Sequence, residues 1–191
     1  MVSRYKSLPC PSCLYWLIER DNPFTKINRA KTIIDFLELE PWMQVLDVGC
    51  GPGRLVVPIA KKIGPKGLVT ALDIQPKMIE IAKKRAIDAQ CIEKIQFVQG
   101  GIEDCELEKD YYDRALLISV LGEIPNEERA MKAIFNVLRP GGMLLITEVI
   151  FDPHFQSKKT VLKLAQSVGF VLKDCLGHKF CFSVKLQKPK I

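Results

Sequence analysis

Residues 45–53 read Val-Leu-Asp-Val-Gly-Cys-Gly-Pro-Gly, and they are followed by a segment from Arg54 to Ile63 that is apolar at helical spacing. A short apolar run therefore ends beside an acid, and a glycine cluster separates it from an amphipathic segment. This pattern predicts a strand, a tight glycine turn and a helix. Because glycine has no Cβ, such a turn lets the backbone come close to a ligand. A glycine turn that binds no ligand is the alternative interpretation.

Strand and helix patterns alternate along the rest of the chain. We predict strands at 43–48, 68–72, 94–99, 112–119 and 143–150, and a terminal hairpin of 170–176 and 179–186 around Gly177-His178. Predicted helices cover 25–39, 54–63, the segment from Pro76, 126–138 and 157–168. The alternation predicts a single-domain α/β Rossmann-like fold. We expect a seven-stranded, mostly parallel sheet with helices on both faces and an antiparallel C-terminal hairpin. We assign residues 1–24 to a leader or lid segment and 25–191 to the domain.

The glycine turn departs from the nicotinamide-binding pattern G-x-G-x-x-G, because Arg54 occupies the third glycine position. The turn, with its acid two residues before the first glycine, resembles the first motif of class I S-adenosylmethionine (SAM) dependent methyltransferases. The general pattern is similar to the small-molecule, quinone-biosynthesis group of that family. The resemblance implies SAM as the cofactor, bound at this turn by Asp47, Gly49, Cys50, Gly51 and Gly53.

Three later segments extend the resemblance. Asp73 closes the second predicted strand, where the family places an acid on the ribose hydroxyls, and Ile74 follows it toward the adenine face. A helix-capping role is the alternative for Asp73. The family's Gly-Asp-Ala segment corresponds here to Gly100-Gly101-Ile102, so the backbone of Ile102 or a carboxylate of Glu103 or Asp104 would replace the missing acid. Ser119 ends the fourth predicted strand, at the crevice outside the strand ends.

Methyl transfer from a sulfonium is an in-line displacement that mainly requires alignment of the reactants and exclusion of water. A base is needed only where the acceptor must first lose a proton, and neither a catalytic triad nor a metal set is evident. The polar groups expected at the strand ends are Glu123, Glu148, Asp152 and His154. Of these we choose His154 and Glu123 as candidate catalytic groups, since an unperturbed histidine titrates near neutrality. The alternative for each is a solvated or capping residue.

Composition and cysteine content bear on where the protein is located and whether it binds a metal. The chain has 191 residues, 48% of them hydrophobic, a net charge of +6 and seven cysteines. We expect a cytoplasmic protein, because seven cysteines and no predicted membrane span do not indicate a secreted disulfide scaffold. One Cys-x-x-Cys pair, Cys10 and Cys13, does not make a zinc site, so we predict no metal.

The predicted partner is a small-molecule acceptor. The spread of the basic residues allows nucleic-acid contact without favouring it. The aromatic leader has three open interpretations: a wall of the acceptor pocket, a cover for the sheet, or a shallow contact with a membrane. Other functions that stay open are methylation of RNA or protein, SAM-binding regulation without catalysis, and nicotinamide-dependent reduction. The sequence does not indicate an oligomeric state.

Overall fold

The computed structural model describes residues 26–190. The predicted leader, including Cys10 and Cys13, lies outside this range. Thr25, the first residue of the helix predicted over 25–39, also lies outside it. The strands are β1 (Gln44–Val48), β2 (Leu68–Asp73), β3 (Ile95–Gln99), β4 (Tyr112–Ile118), β5 (Leu138–Val149), β6 (Val171–His178) and β7 (Cys181–Gln187). The α-helices are α1 (Ala30–Leu37), α2 (Val56–Lys62), α3 (Pro76–Asp88), α4 (Glu127–Val137) and α5 (Lys158–Val168).

The strands form one seven-stranded sheet in the order β3-β2-β1-β4-β5-β7-β6. Strands β1 to β5 pair in parallel, and β7 pairs antiparallel with both β5 and β6. The predicted α/β fold and the C-terminal hairpin are thereby confirmed. The chain moves outward from β1 in one direction and then returns to place β4 on its other side. In open parallel sheets, ligands bind in the crevice at this change of direction.

Successive side chains of the central strands point to opposite faces, and each face has its own core. Leu46 and Leu117 belong to the core under α4 and α5, whereas Val45 and Leu116 belong to the core under α1, α2 and α3. The apolar runs of β1 and β4 are therefore explained by burial on both faces.

Helix ends follow the chemistry of their first and last residues. Asn126 Oδ1 accepts from the amide of Arg129, and Ser157 Oγ accepts from that of Thr160, so these side chains cap the two helices predicted to start at 126 and 157. Helix α1 ends earlier than predicted, at Leu37, because Glu38 adopts a left-handed φ of 52°. Helix α2 starts at Val56, which places Pro58 within the first turn, where its missing N–H costs little.

Strands β4 and β5 have boundaries that differ from the prediction. Strand β4 ends at Ile118, because Ser119 has a φ of 56° and leaves the ladder. Strand β5 begins at Leu138, which pairs with Tyr112, and not at 143, because residues 139–142 form a bulge inside it.

The hairpin turn was predicted at Gly177-His178, which is wrong, because His178 pairs with Cys181 and the turn lies at Lys179 and Phe180. Gly177 serves close packing instead. A Cβ there would lie 2.2 Å from the Cys181 carbonyl oxygen.

We expect Leu117→Ala to lower the free energy of unfolding by about 2–5 kcal/mol, because it leaves a cavity in a closed core. Leu117 is fully buried in β4. The matched control is Leu172→Ala on the edge strand β6, where the side chain is 38% exposed. Denaturant unfolding measures both values, and equal losses at the two positions would contradict the assignment of the core.

Candidate functional site

The glycine turn after β1 is held by the end of β2. The amides of Gly49 and Cys50 both donate to the Leu72 carbonyl oxygen, at 2.8 and 2.9 Å. The next amide, of Gly51, donates to Asp73 Oδ2 at 2.8 Å. Three consecutive amides of the turn are thus bound by two consecutive residues of the neighbouring strand.

Each glycine of the turn has a left-handed φ, between 53° and 84°, but each faces different surroundings. A Cβ at Gly49 would lie 2.6 Å from Val120 Cγ2, and one at Gly53 would lie 3.0 Å from the Cβ of Ala82. These two glycines allow close packing of the turn on its neighbours. A Cβ at Gly51 would meet nothing within 4 Å, so this glycine borders open space. The Cys50 side chain packs in the core, and burial raises the pKa of its thiol.

Asp73 is a buried acid with both carboxylate oxygens anchored. Besides the Gly51 amide on Oδ2, its Oδ1 accepts from the amide of Gln75 at 2.8 Å. Burial raises the pKa of this carboxyl, and the two amide hydrogen bonds oppose that rise. Each oxygen of a carboxylate accepts more than one hydrogen bond, so both keep capacity for a ligand.

Asp47 is the acid at the carboxyl end of β1, and it is only 3% exposed. Its pKa is raised from 3.8 to about 7. Burial is the largest cause; the charge of Arg54 opposes the rise, and the charge of Asp73 adds to it. Arg54 also donates to the carbonyl oxygen and to Oδ1 of Asn28, at 2.7 and 3.0 Å. The guanidinium therefore links the segment before α1 to the acidic end of β1.

A second group of predicted residues lies at the ends of β2 and β3. Ile74 is 52% exposed, and its Cγ2 lies 3.9 Å from where a Cβ at Gly101 would stand. Carboxylate oxygens of Glu103 and Asp104 approach the same position, at 3.9 and 3.7 Å. These acids are thus near the place where the family has its own acid. The Ile102 side chain is buried in the core, so only its backbone is available.

Ser119 lies where β4 ends, next to Val120, which packs on the glycine turn. Its amide donates to the Thr147 carbonyl oxygen at 2.8 Å. Its hydroxyl oxygen is buried and has no hydrogen-bond partner within residues 26–190. The left-handed φ of Ser119 was not readable from the sequence, because serine has no strong preference for that conformation.

The two candidate catalytic residues lie on the loops that follow β4 and β5. Glu123 belongs to a single 3₁₀ turn, Leu121–Glu123, and His154 lies in the loop before α5. A Cβ at Gly122 would lie only 1.9 Å from the His154 carbonyl oxygen, so the two loops pack directly on each other. The side chain of Asp152 accepts from the His154 amide at 2.7 Å. Asp152 therefore stabilises a local turn of the backbone.

Glu148 is the residue that the sequence reasoning undervalued. It was named as a polar group at a strand end, yet its side chain is 1% exposed and one carboxyl oxygen, Oε1, is buried without a partner in the described range. The available signal was an acid that closely follows the apolar run 143–146 of β5. No cluster of His, Cys, Asp or Glu suited to a metal ion occurs between residues 26 and 190. None of the helices in that range has the length and apolar character needed to cross a membrane.

Residues 39–187 match the family of methyltransferase domains. A ubiquinone/menaquinone biosynthesis C-methyltransferase of Vibrio vulnificus is 31% identical over 123 residues, which cover 63% of this chain and 47% of that protein. One from Wigglesworthia glossinidia brevipalpis is 32% identical over 121 residues, or 63% and 48% of the two chains. The chain spans about half the length of these relatives.

Solved structures agree in fold. A SAM-dependent methyltransferase from Aquifex aeolicus superposes with a TM-score of 0.82 at 17% identity, covering 94% of this chain and 99% of the other. A cyclase named SpnF superposes with a TM-score of 0.76, also at 17% identity, covering 90% and 85%. At this level of identity the two structures establish the fold, and the reaction has to be argued from the site.

We expect Asp47→Asn to change how stability depends on pH. The native carboxyl titrates near pH 7 and the unfolded one near its ordinary value of 3.8, so the native state holds the proton in between. The wild type therefore loses stability relative to the variant as pH rises from about 4 to about 7, by up to about 4 kcal/mol. Below that window the difference is constant. Denaturant unfolding across this range measures it, with the exposed Asp174→Asn as the control, and parallel curves would show that Asp47 is ionised in the native protein.

Proposed function

We propose that this chain, which belongs to the family of methyltransferase domains, transfers a methyl group from SAM to a small-molecule acceptor. The observation that supports this most directly is the open space at Gly51 beside the anchored carboxylate of Asp73. Bound SAM supplies a methyl group on a sulfonium, with a neutral sulfide as leaving group.

The donor and acceptor groups of the crevice suit the parts of SAM. Asp73 keeps acceptor capacity on both oxygens, which suits the two neighbouring hydroxyls of a ribose. Exposed Ile74 offers an apolar contact for an adenine beside Gly101, where the carboxylates of Glu103 and Asp104 are also close. Asp47 is a nearby buried acid that a ligand ammonium would hold ionised. These residues therefore fit the cofactor.

The acceptor would lie beside the two loops that follow β4 and β5, residues 119–126 and 150–157, which we call the acceptor loops. The charged groups that act on Glu148 are the carboxyls of Glu123 and Asp152, on these loops, and of Glu127, at the start of α4. Acids repel the phosphates of a nucleic acid, so this local charge disfavours RNA despite the net charge of +6. A small organic acceptor is consistent with it.

We propose a ring carbon of a quinone precursor as the methylated atom, because both aligned relatives carry the name of ubiquinone/menaquinone biosynthesis C-methyltransferases. Such a carbon becomes a nucleophile when a ring hydroxyl loses its proton. His154 and Glu123 are the candidates to accept that proton, and the packed loops that carry them would exclude water. The leader, residues 1–24, is proposed to complete the wall of the acceptor pocket.

Asp73→Asn should weaken SAM binding by about 1–3 kcal/mol, because the neutral amide loses charge-assisted bonds to the ribose. Asparagine keeps the size of the side chain and an oxygen that can accept from the Gly51 amide. The glycine turn is therefore preserved better than in an alanine variant. Isothermal titration calorimetry with SAM measures the change, and Asp174→Asn on β6 is the matched control. Affinity equal to that of the wild type, in a folded Asp73 variant, would remove this residue from the site.

The acceptor is tested with methyl-labelled SAM and three pools: a reduced benzoquinone, a reduced naphthoquinone, and total RNA. Each quinol has one free ring position. We expect label on a ring carbon of a quinol, identified by mass spectrometry and NMR. Label that appears only in RNA or in protein would reject the small-molecule acceptor. SAM binding without transfer to any pool would favour a SAM-binding regulator.

A further inference from the structure

Glu148 is a buried acid beneath one of the acceptor loops. It pairs with Phe182 across β5 and β7, so the two side chains lie on the same face of the sheet. The ring of Phe182 packs edge-on against Phe155, with 6.2 Å between the centroids. Phe155 belongs to the loop 150–157, which therefore covers Glu148.

The surroundings of Glu148 give its ionised form little support. Its Oε2 accepts from the amide of Gln156 at 3.0 Å, and its Oε1 is buried without a partner among residues 26–190. A buried carboxylate requires compensation on both oxygens, because the ionised form loses its hydration. One amide on one oxygen does not supply that compensation. The geometry thus favours the protonated form.

The charged groups around Glu148 also favour its protonated form. Glu123 acts on it from the turn after β4, Glu127 from the first residue of α4, and Asp152 from the covering loop. All three are carboxyls. Burial is the main cause that raises the pKa of Glu148, the Gln156 amide opposes it, and the three acids add to it, giving a pKa of about 8.

Glu148 is also placed to connect the two acceptor loops. Through Gln156 it holds the loop 150–157 to the end of β5. That loop packs on the other acceptor loop where the His154 carbonyl oxygen meets Gly122, a contact so close that no Cβ would fit. A change in the first loop is therefore transmitted to the second.

We propose that Glu148 is a positioning residue that, as a neutral acid, holds the two acceptor loops packed together and in register for the acceptor. The meaning of this role for catalysis rests on the proposed methyl transfer. If the covering loop opens, Glu148 reaches water and returns toward its ordinary pKa of 4.5. Opening then becomes easier by about tenfold per pH unit as pH rises toward 8, and it levels off above that value.

Hydrogen exchange of the Gln156 amide tests the loop directly and needs no acceptor. We compare the wild type with Glu148→Gln at matched pH values from 5 to 9, so that intrinsic exchange cancels. Glutamine is a neutral side chain of the same size that still accepts from the Gln156 amide. We expect the ratio of wild-type to variant exchange to rise with pH up to about 8 and then to level off. Glu93→Gln, on an exposed turn before β3, is the control and should behave as the wild type.

Kinetics with the two quinols separate positioning from a purely structural role. In the wild type we expect the acceptor KM to rise with pH over the same range, with a dependence of kcat on pH that matches that of Glu148→Gln and an unchanged Kd for SAM. In Glu148→Gln the KM should stay flat. Glu148→Ala, which loses the bond to Gln156, should show a raised KM at every pH.

Two results would overturn the proposal. Equal exchange ratios at every pH would show that Glu148 does not control the loop, whether or not a quinol is methylated. A Glu148→Gln variant that binds SAM normally but is inactive at every pH would show that an ionised carboxylate is needed as a base. Failure to bind SAM in the wild type would instead reject the proposed function and leave the exchange experiment valid.

Discussion

The crevice depends on one set of contacts, in which the end of β2 holds the turn that follows β1. Leu72 and Asp73 together accept the amides of Gly49, Cys50 and Gly51. This arrangement sets the turn beside an acid and orients that acid at the same time, so a ligand meets a preformed surface. It is possible because the glycines accept left-handed φ values that other residues rarely adopt.

The carboxyl edge of the sheet carries acids whose ionised forms are destabilised by burial. Asp47, Asp73 and Glu148 are all buried, and burial is the main cause that raises each pKa. Two closed cores, one on each face, stabilise the sheet strongly enough to hold these groups in place. Acids with raised pKa values in a crevice are typical of functional sites rather than of surfaces. Their arrangement also separates two tasks, because Asp47 and Asp73 border the glycine turn whereas Glu148 lies under an acceptor loop.

Sequence reasoning was most successful where one residue type has one structural use. The glycine turn, the acid at Asp73 and the helix starts at Asn126 and Ser157 were predicted because their local chemistry leaves few alternatives. It failed where tertiary contacts decide. Gly177 was read as a turn residue, although it is required by the approach of the Cys181 carbonyl oxygen. The importance of Glu148 could not be predicted, because its environment is assembled from three separate parts of the chain: the turn after β4, the start of α4 and the loop 150–157. Whether the predicted site residues bind SAM remains a prediction.

Two regions at the carboxyl ends of the strands, the glycine turn and the acceptor loops, explain how one fold can keep its cofactor and change its acceptor. The turn and Asp73 are fixed by backbone hydrogen bonds between adjacent strands, so a change there disturbs the sheet itself. The acceptor loops meet where Gly122 contacts the His154 carbonyl oxygen, and the Gln156 amide ties the loop 150–157 to Glu148 on β5. Neither contact belongs to the pairing of the strands, and loops outside that pairing can be altered without unfolding the domain. The proposed acceptor site is therefore free to vary at the ends of β4 and β5, and the bond between Glu148 and Gln156 is one constraint on that region.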